Sequence, residues 1–259
     1  MPATDLALII EAAEAAGEIA RRHFNRGPTV WEKPDGFGPV SEADLEIDAM
    51  LREHLLGARP GYGWLSEETP DDPARLARDR VFVLDPIDGT RAFLGGQKSW
   101  AHSIALVEGG EVIAGVVHLP MLERTYAARA GAGATMNGTS IAASRREELD
   151  GAGLLATSTT LDPERWIGAP PGFDRHFRPS LAYRLCLVAE GRYDAMLTLR
   201  KTWEWDVAAG DLIAREAGAA VATTGGAAPR YNQPEPLLPG FLASAPALRA
   251  PILERLARG

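Results

Sequence analysis

Apolar residues recur three and four positions apart along the first 24 residues, and the positions between them are mostly charged or small. Residues at these separations share one face of a helix, so the spacing predicts an amphipathic helix at the start of the chain. A second helix is predicted over residues 41–57, with Ser41 as its N-cap and Gly57 as its end. The apolar positions of the first helix are Leu6, Ile9, Ile10, Ala13, Ala16, Ala20 and Phe24.

Beyond residue 60 the pattern changes to short apolar runs that are typical of strands. The sequence VFVL at 81–84 predicts a buried strand, because β-branched and aromatic side chains fill a pleated surface well. Residues 103–120 contain two apolar runs joined by Glu-Gly-Gly-Glu, which predicts an antiparallel hairpin. Residues 125–141 continue this meander, with a tight turn predicted at Asn137 and Gly138.

The second half of the chain alternates between strand-like and helix-like segments. Strands are predicted in GLLATS (153–158) and YDAMLTL (193–199). Helices are predicted in SLAYRLCLVAEG (180–191) and DVAAGDLIAREAG (206–218), and a last helix near residues 246–258. This alternation is typical of an α/β arrangement.

The chain therefore divides into two parts with different patterns of predicted helices and strands. Residues 1–148 are predicted to form an α+β half, and residues 149–259 an α/β half. A length of 259 residues, 46% of them hydrophobic, suits one large domain or two intimately packed ones.

Charge and cysteine content narrow the class of protein. A net charge of −8 argues against binding to a nucleic-acid polymer, which requires a basic face. The single cysteine, Cys186, excludes an internal disulfide, and its apolar neighbours predict a thiol packed in the core. The first residues lack a basic leader, and no apolar run approaches the length of a membrane span. We therefore expect a cytoplasmic protein with no membrane partner.

The stretch VFVLDPIDGTRAF at 81–93 carries the most specific chemistry. Asp-Pro and Asp-Gly are ordinary turn pairs, so a simple turn is one interpretation. In the alternative, the bend at Pro86 directs the Asp85 and Asp88 carboxylates into one cavity, with the Ile87 carbonyl beside them. Such carboxylates repel each other, and divalent cations remove that penalty.

Further acids occur near predicted element boundaries. Asp44 ends PVSEAD, Glu67 and Glu68 lie in LSEE, and Asp206 lies in TWEWDVAAGD. None of the five histidines pairs with another at the spacing of metal ligands, so each is expected at the surface or in packing. A ligand set made of oxygen atoms selects Mg²⁺ or Mn²⁺ over zinc.

Gly89 and Thr90 follow these acids at a point where a helix can begin. Backbone N–H groups at such a point form a seat for a phosphate and need no basic side chain. Cations next to amide donors are the components of a phosphoryl-transfer site.

These segments together resemble the inositol monophosphatase family, part of the lithium-sensitive, magnesium-dependent phosphatase superfamily. Their order and separations agree over nearly the whole chain, and DPIDGT followed by WD-x-A-A-G is a specific combination. The resemblance implies a layered αβαβα sandwich, of the inositol monophosphatase and fructose-1,6-bisphosphatase type, with a metal cavity between the halves. The matching segments are Lys33 with PVSEAD, LSEE at 65–68, DPIDGT at 85–90, GAGATMNG, and WDVAAGDLIAREAG at 205–218.

The resemblance also implies a ligand set for two or three Mg²⁺ ions. Glu67, Asp85 and the Ile87 carbonyl would hold the first ion. Asp85 would bridge to a second ion, which Asp88 and Asp206 also hold, and Glu67 would touch a third. The alternative for Asp206 is that it only caps the N-terminus of its helix and binds no metal ion.

Catalytic and phosphate-binding roles are implied in the same way. Thr90, supported by Asp44, would orient the attacking water, and Glu67 would help to deprotonate it. The N–H groups of Gly89 and Thr90 would hold phosphate oxygens. Asp44 on a solvated helix face is the alternative, and Glu68 is not expected to be a ligand.

The chain departs from the family where the substrate is chosen. Arg178, Pro179 and Ser180 occupy the place where relatives often carry a Gly-Ser pair that contacts the organic part of the substrate. Asp88 and Asp206 are expected to contact the substrate as well.

A second departure is LRKTWEWD, which places Arg200, Lys201 and Glu204 near the expected mouth. Arg200 or Lys201 could neutralise a second phosphate, and Trp203 could stack on a base. Surface charge and packing are the alternatives.

The expected activity is hydrolysis of a small phosphate monoester, of the inositol monophosphate type, by water that bound Mg²⁺ activates. The EWD ending resembles the 3′(2′),5′-bisphosphate nucleotidase branch, so 3′-phosphoadenosine 5′-phosphate is the alternative substrate. Histidinol phosphate, sugar bisphosphates, and a catalytically idle regulatory relative are further alternatives. Inhibition by lithium is expected by similarity; a homodimer is common among relatives, although nothing in the sequence demands one.

Overall fold

The helices occur in the predicted order. In a computed structural model of the protein, residues 4–32 and 38–257 are described, and Lys33 lies outside the described residues. Within these ranges the α-helices are α1 (Asp5–Arg26), α2 (Glu42–Ala58), α3 (Thr90–Leu94), α4 (Leu181–Ala189), α5 (Glu204–Glu216) and α6 (Pro246–Arg255). None of these helices is long and apolar enough to cross a membrane.

A short antiparallel pair and a large sheet belong to the first half of the chain. The pair consists of β1 (Val30–Glu32) and β2 (Pro39–Ser41). The sheet consists of β3 (Gly63–Ser66), β4 (Arg80–Asp88), β5 (Ala101–Glu108), β6 (Glu111–Leu119), β7 (Arg124–Arg129), β8 (Ala134–Met136) and β9 (Thr139–Ser140). These seven strands lie side by side in chain order, with β3 and β4 parallel and the later neighbours antiparallel.

The second half of the chain forms a smaller, mixed sheet. The strands of this half are β10 (Gly153–Leu155), β11 (Asp174–His176), β12 (Ala195–Thr198), β13 (Thr202–Trp203), β14 (Ala220–Ala222), β15 (Leu237–Leu238) and β16 (Phe241–Ser244). Five of them form a sheet in the order β11–β10–β12–β16–β14, in which β10 is parallel to both of its neighbours. Strands β13 and β15 pair separately.

Helices α1 and α2 cover one face of the seven-stranded sheet. The apolar side of α1 buries Ile9, Ala13 and Ala16 completely, as the spacing predicts, and α2 buries Ile47 and Leu51. These side chains share a hydrophobic core with residues of β4, β5 and β6.

The opposite face of this sheet packs against α4 and α5. Every residue of α4 is buried, including Cys186, which confirms the predicted core thiol. Helix α5 crosses β6 so closely that a Cβ atom on Gly115 would lie 3.0 Å from the Ala209 carbonyl oxygen. Only glycine allows this approach, because backbone atoms cannot move aside as a flexible side chain can.

Helix α6 closes the structure on the outer face of the five-stranded sheet. Leu248 and Ile252 of α6 pack with Leu154, Leu197 and Leu242 in a separate core. The layers are therefore α1 and α2, the large sheet, α4 and α5, the small sheet, and α6. This arrangement confirms the expected αβαβα sandwich.

The ends of some strands and helices differ from the sequence expectations. Strand β4 was expected to end before Asp85. It continues through Asp88. Helix α2 runs past Gly57 to Ala58, so the predicted stop at Gly57 is wrong. The turn at Asn137 and Gly138 is confirmed, since both residues have positive φ between β8 and β9.

Candidate active site

The DPIDGT segment begins inside strand β4, at an irregularity in the sheet. The β4–β5 ladder pairs Asp85 with Ser103 and Asp88 with Ala101, so two residues of β4 lie opposite His102 alone. A bulge of this kind bends a strand and redirects its side chains. Asp85 and Asp88 are both nearly inaccessible, with exposures of 2% and 6%.

Three acids from distant parts of the sequence meet at this bulge. Carboxylate oxygens of Glu67, Asp85 and Asp206 all lie within 4.8 Å of one another. Glu67 follows β3, and its N–H donates to the Leu84 carbonyl at 3.3 Å. Asp206 is the third residue of α5, after the N-cap Trp203, so the N-cap interpretation of Asp206 is wrong.

The three carboxylates cannot all be charged in this arrangement without compensation. At an effective dielectric constant of ~20, two charges at this distance repel by about 3 kcal/mol, and three pairs by roughly 10 kcal/mol, comparable with the stability of a whole domain. Burial, then the neighbouring acids, raises the pKa of Asp85 and of Asp206, while Arg200 opposes the effect at Asp206. The cluster must therefore hold protons or a cation.

Asp88 lies outside this close group but lines the same cavity. Its Oδ2 accepts hydrogen bonds of 2.6 Å from the Ser180 hydroxyl and from the Ala182 N–H. Burial raises the pKa of Asp88 to about 6, although Ser180, backbone N–H groups and Arg184 favour its charged form. These bonds fix one oxygen of the carboxylate.

Ser180 is placed differently from its predicted role in substrate contact. It is completely buried, caps α4 by accepting from the Tyr183 N–H at 2.9 Å, and donates to Asp88. The hydroxyl therefore lies behind Asp88 instead of at the cavity surface. Its immediate effect is on the orientation of that carboxylate.

The residues after Asp88 begin helix α3. Gly89, with φ of 99°, is its N-cap, and the Thr90 hydroxyl donates to the Ile87 carbonyl at 3.1 Å. Gly89, Thr90 and Ile87 all line the cavity. Glycine is required at this N-cap because the conformation is left-handed.

Asp44 is buried at the start of α2, which excludes the solvated-face interpretation. Its Oδ2 accepts from the Ser41 N–H at 2.8 Å and from the Ser41 hydroxyl. The expected support of Thr90 by Asp44 stays a prediction.

A second acid of α2, Asp48, holds the loop that carries Glu67. One oxygen of Asp48 accepts from the Ser66 hydroxyl and the other from the Thr69 hydroxyl, both at 2.5 Å. The Ser66 hydroxyl also accepts from the Glu68 N–H at 3.3 Å. The residues on either side of Glu67 and Glu68 are thus tied to one carboxylate.

The close group of acids, Asp88 and the start of α3 line one cavity of about 1310 Å³. Acids line it together with cationic and aromatic side chains, and Glu68, which was not expected to be a ligand, is among the lining residues. The predicted residues in the lining are Glu67, Asp85, Ile87, Asp88, Gly89, Thr90, Arg178, Pro179, Arg200, Lys201, Trp203 and Asp206.

Arg184 and Trp205 are cavity residues that sequence reasoning missed. The Arg184 guanidinium lies over the Phe177 ring at 4.5 Å, and burial lowers its pKa to about 10. The Trp205 ring stacks on Trp203, with centroids 4.8 Å apart. A charged residue in the otherwise apolar α4 was the available signal for Arg184.

Glu204 was expected near the mouth of the cavity. The structure instead places it in the interior, where it is completely buried. Its carboxylate accepts from the N–H groups of Asn232 and Gln233 at 2.6 and 3.0 Å, and burial raises its pKa to about 7. Arg75 binds the same turn through the Asn232 side chain and the Gln233 carbonyl. Glu204 therefore fixes the turn that follows β14.

Comparisons with known proteins agree with this geometry. The inositol monophosphatase family matches residues 2–256. A histidinol-phosphatase of Mycobacterium tuberculosis is 35% identical over 86% of this chain and 89% of its own length. A 3′(2′),5′-bisphosphate nucleotidase, CysQ, of Aggregatibacter actinomycetemcomitans is 32% identical over 81% of each chain. The solved IMPase of Thermotoga maritima superimposes with a TM-score of 0.82 at 28% identity, covering 96% of this chain and 95% of its own.

Fold, site and relatives together define a phosphoric monoester hydrolase. The chain belongs to the inositol monophosphatase family, whose members depend on metal ions. Its relatives are named for different phosphate esters, so membership alone does not determine the substrate.

Asp48→Ala should weaken metal binding, because the loop on either side of Glu67 loses its anchor. We expect the Kd for Mn²⁺, measured by calorimetry on metal-free protein, to rise about tenfold, as for partners of metal ligands in general. Glu53→Ala removes an exposed acid from the same helix and is the control, with an unchanged Kd. Equal Kd values for both variants would contradict the role given to Asp48.

Proposed function

We propose that the protein is a Mg²⁺-dependent phosphomonoesterase acting on a small ester of the inositol monophosphate type. The proposal rests on the close group of Glu67, Asp85 and Asp206 in a cavity that Asp88 and Thr90 also line. Because the donors are oxygen atoms, Mg²⁺ is favoured, with Mn²⁺ as a substitute.

Five oxygen donors of this chain would hold the cations. When bound, the cations supply polarisation of the phosphate and a lowered pKa of water. The role of the protein is to keep its carboxylates charged and correctly oriented, which buried hydrogen bonds such as those to Asp88 do. The proposed donors are Glu67, Asp85, the Ile87 carbonyl, Asp88 and Asp206.

Thr90 and Glu67 are the groups proposed to orient and deprotonate the attacking water. The Thr90 hydroxyl donates its proton to the Ile87 carbonyl, so its oxygen can accept a hydrogen bond from water. Glu67 would take the proton from that water, and Asp44 would support Thr90 from behind. The N–H groups of Gly89 and Thr90 would bind the phosphate oxygens.

Asp85→Asn should lower kcat for phosphate release at least about a hundredfold, because it removes a central negative ligand. The measurement is release of inorganic phosphate from inositol 1-phosphate, after removal of metal and again after addition of Mg²⁺. Lithium is expected to inhibit the restored activity.

Glu68→Gln is the matched control, since Glu68 lines the cavity beside Glu67 but is not a proposed ligand. Its kcat should stay within about threefold of the wild-type value. Near-normal turnover by Asp85→Asn would remove Asp85 from the metal site. No phosphate release by the wild-type protein from any ester would favour the idle regulatory relative.

A nucleoside 3′,5′-bisphosphate is the second candidate substrate, and positive charge in the cavity favours it. The cationic side chains that line the cavity include Arg178, Arg184, Arg200 and Lys201. The part of the cavity that would hold the metal ions is acidic. Guanidinium and ammonium groups of this kind would bind a second phosphate. Trp203 also lines the cavity and would offer an aromatic surface to a base.

The effect of Lys201→Ala on kcat/KM should differ between the candidate esters, because they differ in their second charged group. We expect kcat/KM to fall about tenfold, or ~1.4 kcal/mol, for 3′-phosphoadenosine 5′-phosphate and to stay constant for inositol 1-phosphate. Histidinol phosphate carries a positive amine, so its kcat/KM should not fall.

Arg145→Ala removes one exposed positive charge outside the cavity lining and is the control for net charge. It should leave all three substrates unaffected. Equal losses on all three with Lys201→Ala would leave the bisphosphate candidate without support.

A further inference from the structure

The bulge in β4 brings a buried histidine against the backbone of the DPID segment. His102 is the single residue of β5 opposite Pro86 and Ile87, because the ladder pairs the residues on either side of them. Its Nδ1 forms a hydrogen bond with the Pro86 carbonyl oxygen. A side chain thus binds a carbonyl at the point where the regular ladder is interrupted.

The chemistry of this hydrogen bond determines the tautomer of the ring. A carbonyl oxygen only accepts, so Nδ1 must carry the proton and Nε2 must carry the lone pair. Burial, then the nearby His118, lowers the pKa of His102 to about 3, which keeps the ring neutral. The ring therefore donates to Pro86 throughout the neutral pH range.

The same peptide group also contacts a proposed metal ligand. The Ile87 N–H, on the other side of the Pro86–Ile87 peptide bond, donates to Asp85 Oδ1 at 2.9 Å. The Ile87 carbonyl, itself a proposed ligand, accepts from Thr90. A planar peptide transmits orientation from one end to the other, so His102 and the Asp85 carboxylate are connected through one rigid unit.

Histidine is an unfavourable residue for packing alone at this position. The residues two positions away, Trp100 just before β5 and Ile104 within it, belong to the apolar core beneath α1 and α2. His102 is completely buried, and its Nε2 has no hydrogen-bond partner among the described residues. An unsatisfied buried nitrogen lowers stability, and the hydrogen bond between Nδ1 and the Pro86 carbonyl offsets that cost.

We propose that His102 is a positioning residue for the metal site: through the Pro86–Ile87 peptide it fixes the Asp85 carboxylate. The proposal rests on the proposed metal-dependent function of this cavity. His102 is completely buried and is not among the described residues that line the cavity, so it acts through the backbone that it binds.

Two variants with side chains of equal shape, His102→Asn and His102→Leu, distinguish a positioning role of His102 from a role in packing alone. Asn and Leu branch alike, but the Asn amide nitrogen can occupy the place of Nδ1 and donate to Pro86. We expect His102→Leu to raise the Kd for Mn²⁺ of metal-free protein about tenfold or more, and His102→Asn to stay within about threefold of wild type. For phosphate release, the Mg²⁺ concentration giving half-maximal rate should follow the same order.

Ile104→Ala is the control for loss of stability in the same core. It should lower the Tm without changing the Kd for Mn²⁺. Equal weakening of metal binding by His102→Leu and His102→Asn would overturn the proposal and reduce His102 to packing. Failure of the wild-type protein to bind Mn²⁺ would instead overturn the proposed function.

Two measurements remain decisive if His102→Leu does not fold. His102→Gln places its amide nitrogen near the position of Nε2, away from Pro86, and should weaken Mn²⁺ binding as Leu does. In the wild-type protein, ¹⁵N chemical shifts of the imidazole should show a protonated Nδ1 and a bare Nε2 at neutral pH. The opposite tautomer, or wild-type affinity in His102→Gln, would contradict the proposal.

Discussion

The repulsion among closely spaced carboxylates is the constraint on which the rest of the structure depends. Glu67, Asp85 and Asp206 lie so close that their charges can coexist only with a compensating cation. Burial has a related effect at Asp88, whose pKa of about 6 in the fold lies above its ordinary 3.8. Its contribution to stability is therefore complete below pH 3.8 and is lost as the pH rises through about 6 in metal-free protein. A cation bound beside Asp88 would reverse this loss.

The fold meets the constraint by fixing each acid from a different element. The Glu67 loop is tied to Asp48 of α2, Asp88 is held by the start of α4, and Asp206 lies in the first turn of α5. His102 of β5 binds the backbone next to Asp85. Since these supports come from both halves of the chain, the site is complete only where the layers of both halves pack together.

Sequence patterns predicted what depends on local spacing. The helices, the hairpin and the DPIDGT acids follow from periodicity and turn chemistry, and the αβαβα layers from the family resemblance. Sequence could not predict long-range burial: Glu204 is adjacent to cavity residues in the chain but is buried against a distant turn. Ser180 binds Asp88, 92 positions away, and Asp48 binds Ser66 and Thr69 only after the chain has folded.

Proton release on metal binding tests the central claim most directly. Calorimetric titration of metal-free protein with Mn²⁺ at pH 6, in two buffers of different ionisation enthalpy, counts the protons that leave. The raised pKa values of Asp85, Asp88 and Asp206 predict a net release of roughly one proton or more per protein molecule. Metal binding with no proton release, or no binding at all, would contradict the view that this cavity holds mutually repelling carboxylates for a cation.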